Sequence, residues 1–133
     1  MSGETDLKTL LRSLSAELHP DTFVFATIRV RDVPAGLRPM MVFQESEGTT
    51  LVLTKAEAEA HGMPHEFPCR MITLNIHSSL DAVGFIAHIA SVLAAHDMGV
   101  NPVSGFYHDH LFVPEGKQEQ AMQLLSGIAE GRL

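Results

Sequence analysis

The chain has 133 residues, 45% of them hydrophobic and 19% charged, and its sixteen acidic against nine basic side chains give a formal charge of -7. That size suits one ordinary domain or two very small units sharing a core, and the composition is that of a folded globular chain. With no cluster of Lys and Arg, binding to nucleic-acid phosphates or to an anionic membrane surface is disfavoured.

The N-terminus, MSGETDLKTLLRSL, has neither the basic start nor the apolar core of a signal peptide, and the single Cys69 cannot form an internal disulfide. A reducing, cytoplasmic location is therefore expected. Leu7, Leu10, Leu11 and Leu14 recur at helical steps, so Thr5 to about Leu14 reads as a short amphipathic helix capped by Thr5 and ended by His19-Pro20-Asp21. TFVFATIRV, Thr22 to Val30, is β-branched and aromatic with apolar residues on both faces, the pattern of an inner strand. DVPAGLRP is a loop; MMVFQE and TTLVLT then form a hairpin turned by Ser46-Glu47-Gly48. A helix from about Lys55 to His61 stops at Gly62, and Pro64 and Pro68 bracket a link between two halves, 1–66 and 67–133. From Cys69 the pattern continues as strand, helix (Leu80 to about Asp97), strand (about Pro102 to Tyr107), turn, strand (Leu111 to Val113) and helix (about Lys117 to Ala129).

The first half thus reads αβββα and the second βαββα. A split βαβ used twice is the ferredoxin-like plan, an α+β fold with helices on one face of an antiparallel sheet. Neither half holds all six elements, so the halves are expected to share or exchange a strand.

The stretch HSSLDAVGF joins the strand CRMITLNIH to the apolar helix. Ser78 or Ser79 is placed to cap a helix beginning near Leu80 to Ala82, Asp81 suits the positive end of its dipole, and Gly84 lets something approach closely. Free N–H groups, hydroxyls and a glycine also make a small anion pocket, suited to a carboxylate. On spacing alone, capping and binding remain two readings of the same residues.

HSSLDAVGF, the apolar helix after it and NPVSGFYHDHLFVP closely resemble the C-terminal part of a family of small stand-alone bacterial proteins with tandem ACT-like domains, and ESEGTTLVL resembles that family's other characteristic stretch. Thr49-Thr50 departs from the Leu-Thr or similar pair expected there. The resemblance implies paired βαββαβ units acting as a regulatory module for a small ligand, often an amino acid. It also implies a ligand held by the loop after the first strand and the start of the next helix, against a neighbouring unit. Residue by residue, that loop is His77, Ser78, Ser79, Leu80 and Asp81, with Val83 and Gly84 at the helix start. The turn Glu45 to Thr50, with Glu45, Glu47, Gly48 and Thr49, is the opposite wall by similarity to tandem ACT arginine sensors.

YHDHLF offers a second chemistry. On a continuous strand His108 and His110 would share a face, and with His77 they could hold a catalytic metal. The segment falls where a hairpin should turn, however, which favours hydrogen-bonding roles. His61 and His96 fall near helix C-termini, where a cation is favourable. There is no Gly-rich phosphate loop, CxxC, HExxH or GxSxG, and a serine adjacent to His77 would point to the opposite face of a strand, so spacing gives Ser78 or Ser79 with His77 no support as a nucleophile pair. From Ala82 to Ala95 only His88 and Ser91 are polar, so this helix should be covered on two sides, by the chain itself or by a second copy in a homodimer. The expected function is a non-catalytic, cofactor-free module that binds a small molecule, an amino acid or similar carboxylate. The alternatives are a metal-dependent enzyme using His77, His108 and His110, and a pure protein-interaction module.

Overall fold

The structure, a computed structural model, describes residues 6–76 and 82–133. His77, Ser78, Ser79, Leu80 and Asp81 lie outside the described residues, as does Thr5. The elements run α1 (Leu7–Arg12), β1 (Ala16–Ile28), β2 (Met41–Gln44), β3 (Thr49–Thr54), α2 (Lys55–Ala60), β4 (Glu66–Leu74), α3 (Phe85–Ala94), β5 (Asn101–Ser104), β6 (Asp109–Pro114) and α4 (Gln118–Ala129). This is the expected order, αβββα followed by βαββα. The strands form one sheet in the order β2-β3-β1-β4-β6-β5.

Two compact units make up the chain: residues 20–69, and residues 1–19 with 70–133. The long strands β1 and β4 each contribute residues to both. In the 20–69 unit, β3 pairs antiparallel with β1 (Phe23 opposite Thr54, Ile28 opposite Thr49) and with β2 (Met41 opposite Val52, Gln44 opposite Thr49). Alternation then puts Val24, Ala26, Leu51 and Leu53 on one face, where they pack with Ala58 of α2. The α2 sequence KAEAEA is made of strong helix formers; the Thr54 hydroxyl accepts the Glu57 N–H at its start, and Gly62, at φ +63°, follows its end.

The other unit has the larger core. Leu10 and Leu14, Ile72 and Leu74 of β4, Phe85, Ile89 and Leu93 of α3, Leu111 and Val113 of β6, and Ala121, Leu125 and Ile128 of α4 are buried together. Each large side chain removed from water contributes roughly 1.5–3 kcal/mol. The i, i+4, i+8 spacing of Phe85, Ile89 and Leu93 gives α3 one buried stripe, covered by α1 and α4, while Ala87, Ser91, Ala94 and Ala95 face outward. The second cover expected for this helix is thus supplied within its own unit.

Four local expectations are corrected. Asp6, not Thr5, caps α1: its carboxylate accepts the Thr9 N–H at 3.0 Å and the Thr9 hydroxyl at 2.6 Å, bonds that hold the Asp6 pKa below its usual value. His19-Pro20-Asp21 lies inside β1, because Ala16 and Leu18 extend the inward alternation upstream and pack on the larger core; Pro20 sits where the strand passes from one unit to the other. Pro68 likewise lies inside β4, after Phe67, whose φ of +57° breaks the regular strand and sets its ring 5.9 Å from that of Phe25. Finally, α3 starts at Phe85, not near Leu80 to Ala82, and Gly84 is its N-cap, at φ +91°, a backbone conformation suited to glycine. Among the described residues a Cβ at Gly84 would meet Leu7 Cδ2 at 3.5 Å, an ordinary contact, and the positive φ is what calls for glycine there.

Candidate functional site

β5 and β6 pair antiparallel, with Ser104 opposite Asp109, and the Gly105 N–H donates to His108 O at 2.9 Å to close a turn whose tip is Phe106-Tyr107. Those two rings stand edge-to-face, 5.0 Å apart, and are 65% and 64% exposed. Directly below the tip the chemistry changes. Asp109 is buried and accepts the Ser104 hydroxyl at 2.5 Å, and His108 keeps its Nδ1 buried with no hydrogen-bond partner among the described residues.

Opposite this hairpin stands the start of α3. Its first internal bond is from His88 N to Gly84 O, so the N–H groups of Phe85, Ile86 and Ala87 precede the helix ladder. The N-cap glycine has no side chain to cap them, and the first turn holds no acid. A helix start has a positive dipole end and N–H groups outside the ladder, which favour an anion. Between the two elements lies a cavity of about 290 Å³, lined by Ala82 and Gly84 to Ala87 on one side and by Ser104, Gly105 and Tyr107 to Asp109 on the other. It therefore joins donors at one wall, a buried carboxylate at the other, and apolar surface from Phe85, Ile86 and Tyr107.

The histidines do not share one strand face. His108 belongs to the turn and His110 to β6, their rings perpendicular with centroids 6.5 Å apart. His110 Nδ1 shares a 3.0 Å hydrogen bond with the Thr73 hydroxyl, and burial, reinforced by His108 and opposed by Asp109, holds its pKa below the usual histidine value. Among the described residues no group of three His, Cys, Asp or Glu could hold a metal ion. His61 is the C-cap of α2, and His96 Nδ1 bonds Val92 O at 2.9 Å, the helix-end roles expected of them.

The turn Glu45 to Thr49 belongs to the 20–69 unit. Glu45 and Gly48 exchange backbone bonds of 3.0 and 3.3 Å around Ser46-Glu47. A Cβ on Gly48 would lie 2.8 Å from both Ile28 O and Thr27 Oγ1, which only glycine avoids, and the buried Thr49 hydroxyl donates to Val30 O at 2.7 Å. Glu45, hydrogen-bonded to the Thr50 hydroxyl, lines a wider cavity of about 560 Å³ with Phe25, Thr27, His65 and Glu66. Of the residues expected at the α3 side, Gly84 lines the smaller cavity and Val83 is exposed beside it in sequence. Ser104 and Tyr107 were not singled out from the sequence, and Asp109 only as a carboxylate between the two histidines of the metal alternative; the convergence of the three depends on the hairpin register.

Two successive βα-rich units with a ligand-sized cavity at a strand-to-helix connection define a class, and the comparisons give it a name. ACT domain models match residues 2–70 and 66–127, and the chain belongs to the ACT domain family. A Vibrio cholerae protein of unknown function, VC0802, described as a possible transport protein, is similar at 39% identity over 92% of this chain and 95% of its own, with a TM-score of 0.83. Atu0741 from Agrobacterium tumefaciens shares the fold at 17% identity over 87% and 89% of the two chains, with a TM-score of 0.73. The regulatory subunit of aspartate kinase from Thermus flavus does so at 11% over 86% and 95%, with a TM-score of 0.60. None of the curated proteins matches the sequence. Membership of the ACT family supports a ligand-binding regulatory module, and among the described residues no helix is long and apolar enough to cross a membrane.

Proposed function

We propose that this chain is a non-catalytic cytoplasmic sensing module whose ligand is an amino acid or a closely similar small carboxylate, held between the start of α3 and the β5–β6 hairpin. The observation that carries this reading is the first turn of α3, started by a glycine with no capping side chain of its own, lining a cavity that also contains the buried Asp109. A ligand carboxylate would take the N–H groups of Phe85, Ile86 and Ala87, with His108 Nδ1 as a further partner. Its ammonium group would meet Asp109, and its side chain would lie against Ile86 and Tyr107. Residues His77 to Asp81, directly before Ala82 in sequence, and Val83 are part of the proposed binding segment, and Glu45 and Glu47 are further candidates for a cationic group. The halves 1–66 and 67–133 are taken as the two ACT units of this module.

A thermal-shift screen with the twenty amino acids and with divalent metals tests this. A ligand that binds only the folded state stabilises it by about 2.7 kcal/mol at roughly 100 times its Kd. One or a few amino acids should raise Tm by several degrees, and Asp109→Asn, Ser79→Ala or Asp81→Ala should reduce the shift. A response to zinc alone, abolished by His108→Ala, would replace this reading with the metal-dependent one.

A further inference from the structure

Val24, Ala26, Leu51 and Leu53 turn one sheet face of the 20–69 unit toward α2, so alternation puts Phe25, Thr27 and Thr50 on the other. There they line the wider cavity, of about 560 Å³, together with Glu45 and the segment Pro64, His65 and Glu66. That volume lies within the roughly 300–1,000 Å³ of small-molecule sites. The ring of Phe67 stands beside that of Phe25, with centroids 5.9 Å apart. The polar groups of the cavity are mostly acceptors. His65 Nδ1 lies 2.9 Å from Met63 O, and since a carbonyl only accepts, that nitrogen carries the proton and Nε2 of the neutral ring is an acceptor. The Thr50 hydroxyl gives its proton to Glu45. Glu45 and Glu66 add two exposed carboxylates, and no Lys or Arg lines the cavity.

We propose that this cavity is a second ligand site, for an organic amine cation with an apolar body and no carboxylate of its own. The ammonium donates N–H bonds to Glu45, Glu66 and His65 Nε2, and the body lies against Pro64 and the Phe25 ring, whose quadrupole also attracts a cation. A carboxylate on the ligand would stand beside two others with no base to neutralise it, which disfavours the zwitterionic amino acids proposed for the α3 cavity. A metal ion is the other cation such acceptors could take, but among the described residues no group of three His, Cys, Asp or Glu could hold one. Pro64 and Phe25 favour instead a ligand with apolar surface to bury. The two cavities share no lining residue, so this site stands or falls apart from the α3 reading.

Titration calorimetry of the full chain with phenethylamine as the probe tests this. Saturable binding is expected, at least about tenfold tighter than for phenethyl alcohol, which keeps the body and loses the charge. Phenylacetate, which reverses the charge, should not bind there. Glu45→Gln with Glu66→Gln, both at exposed positions, should weaken the amine at least about tenfold, whereas Glu119→Gln on α4 should bind as wild type. Amide NMR shifts caused by the probe should centre on Phe25 to Thr27, Thr50, His65 and Glu66. No saturable binding, an alcohol or phenylacetate bound as well as the amine, a double variant of unchanged affinity, or shifts centred on the α3 cavity would each overturn the proposal.

Discussion

At Gly131 the backbone has φ +83°, and a Cβ there would lie 1.9 Å from Nη1 of Arg12. The guanidinium is the free end of a flexible side chain and can move aside, so the backbone conformation decides the cost, about 1–2 kcal/mol for a non-glycine residue. Gly131 also lets the Arg132 N–H return to Gly127 O and its own N–H to Ile128 O, closing the end of α4. Gly131→Ala should therefore lower stability by about that amount in urea denaturation. His110 makes a pH prediction with a definite sign. Its folded pKa is depressed, so as pH falls through the ordinary value of 6.5 the unfolded chain takes up the proton first, and folding loses stability until the folded pKa is passed. Comparing wild type with His110→Gln in pH-dependent denaturation should show a loss below about pH 6.5 that the variant lacks. The histidine pair was half legible in the sequence. YHDHLF marked the turn and its hydrogen-bonding role, but not which of the two rings stays in the strand, because that depends on where Gly105 closes the hairpin against His108.

Among the elements, the first turn of α3 separates binding from stability. Ala87 is exposed, lies in that turn and lines the cavity. Ala87→Glu would add the acid the helix start lacks, stabilising it by about 0.3–1 kcal/mol. The same charge would repel a bound carboxylate, weakening it by at least about tenfold. A higher Tm for the free protein together with a lower affinity, read by calorimetry, is the expected pair of results; ordinary damage to the fold would move both downward. Element types and order were legible from periodicity and turn residues. Element ends were not. Prolines 20 and 68 read as breaks, yet both lie inside strands that serve two units, and the late start of α3 rests on a positive φ at Gly84 that no spacing rule reports.

For the molecule as a whole, the 70–133 segment has a cavity between the start of α3 and the β5–β6 hairpin. HSSLDAVGF and NPVSGFYHDHLFVP were the stretches singled out from the sequence, and residues 77–81 of the first lie outside the described residues. The convergence of Ser104, Tyr107 and Asp109 on the start of α3 could not be read from those stretches, since it comes from the register of β5 against β6 and from packing of α3 on α4. The central claim, that a small carboxylate binds between α3 and this hairpin, meets its most direct test in amide NMR spectra of the full chain titrated with the amino acid that raises Tm most. Saturable shifts centred on Gly84 to Ala87 and Gly105 to Asp109 are expected. Shifts centred on other residues, or spectra unchanged by every amino acid, would contradict it.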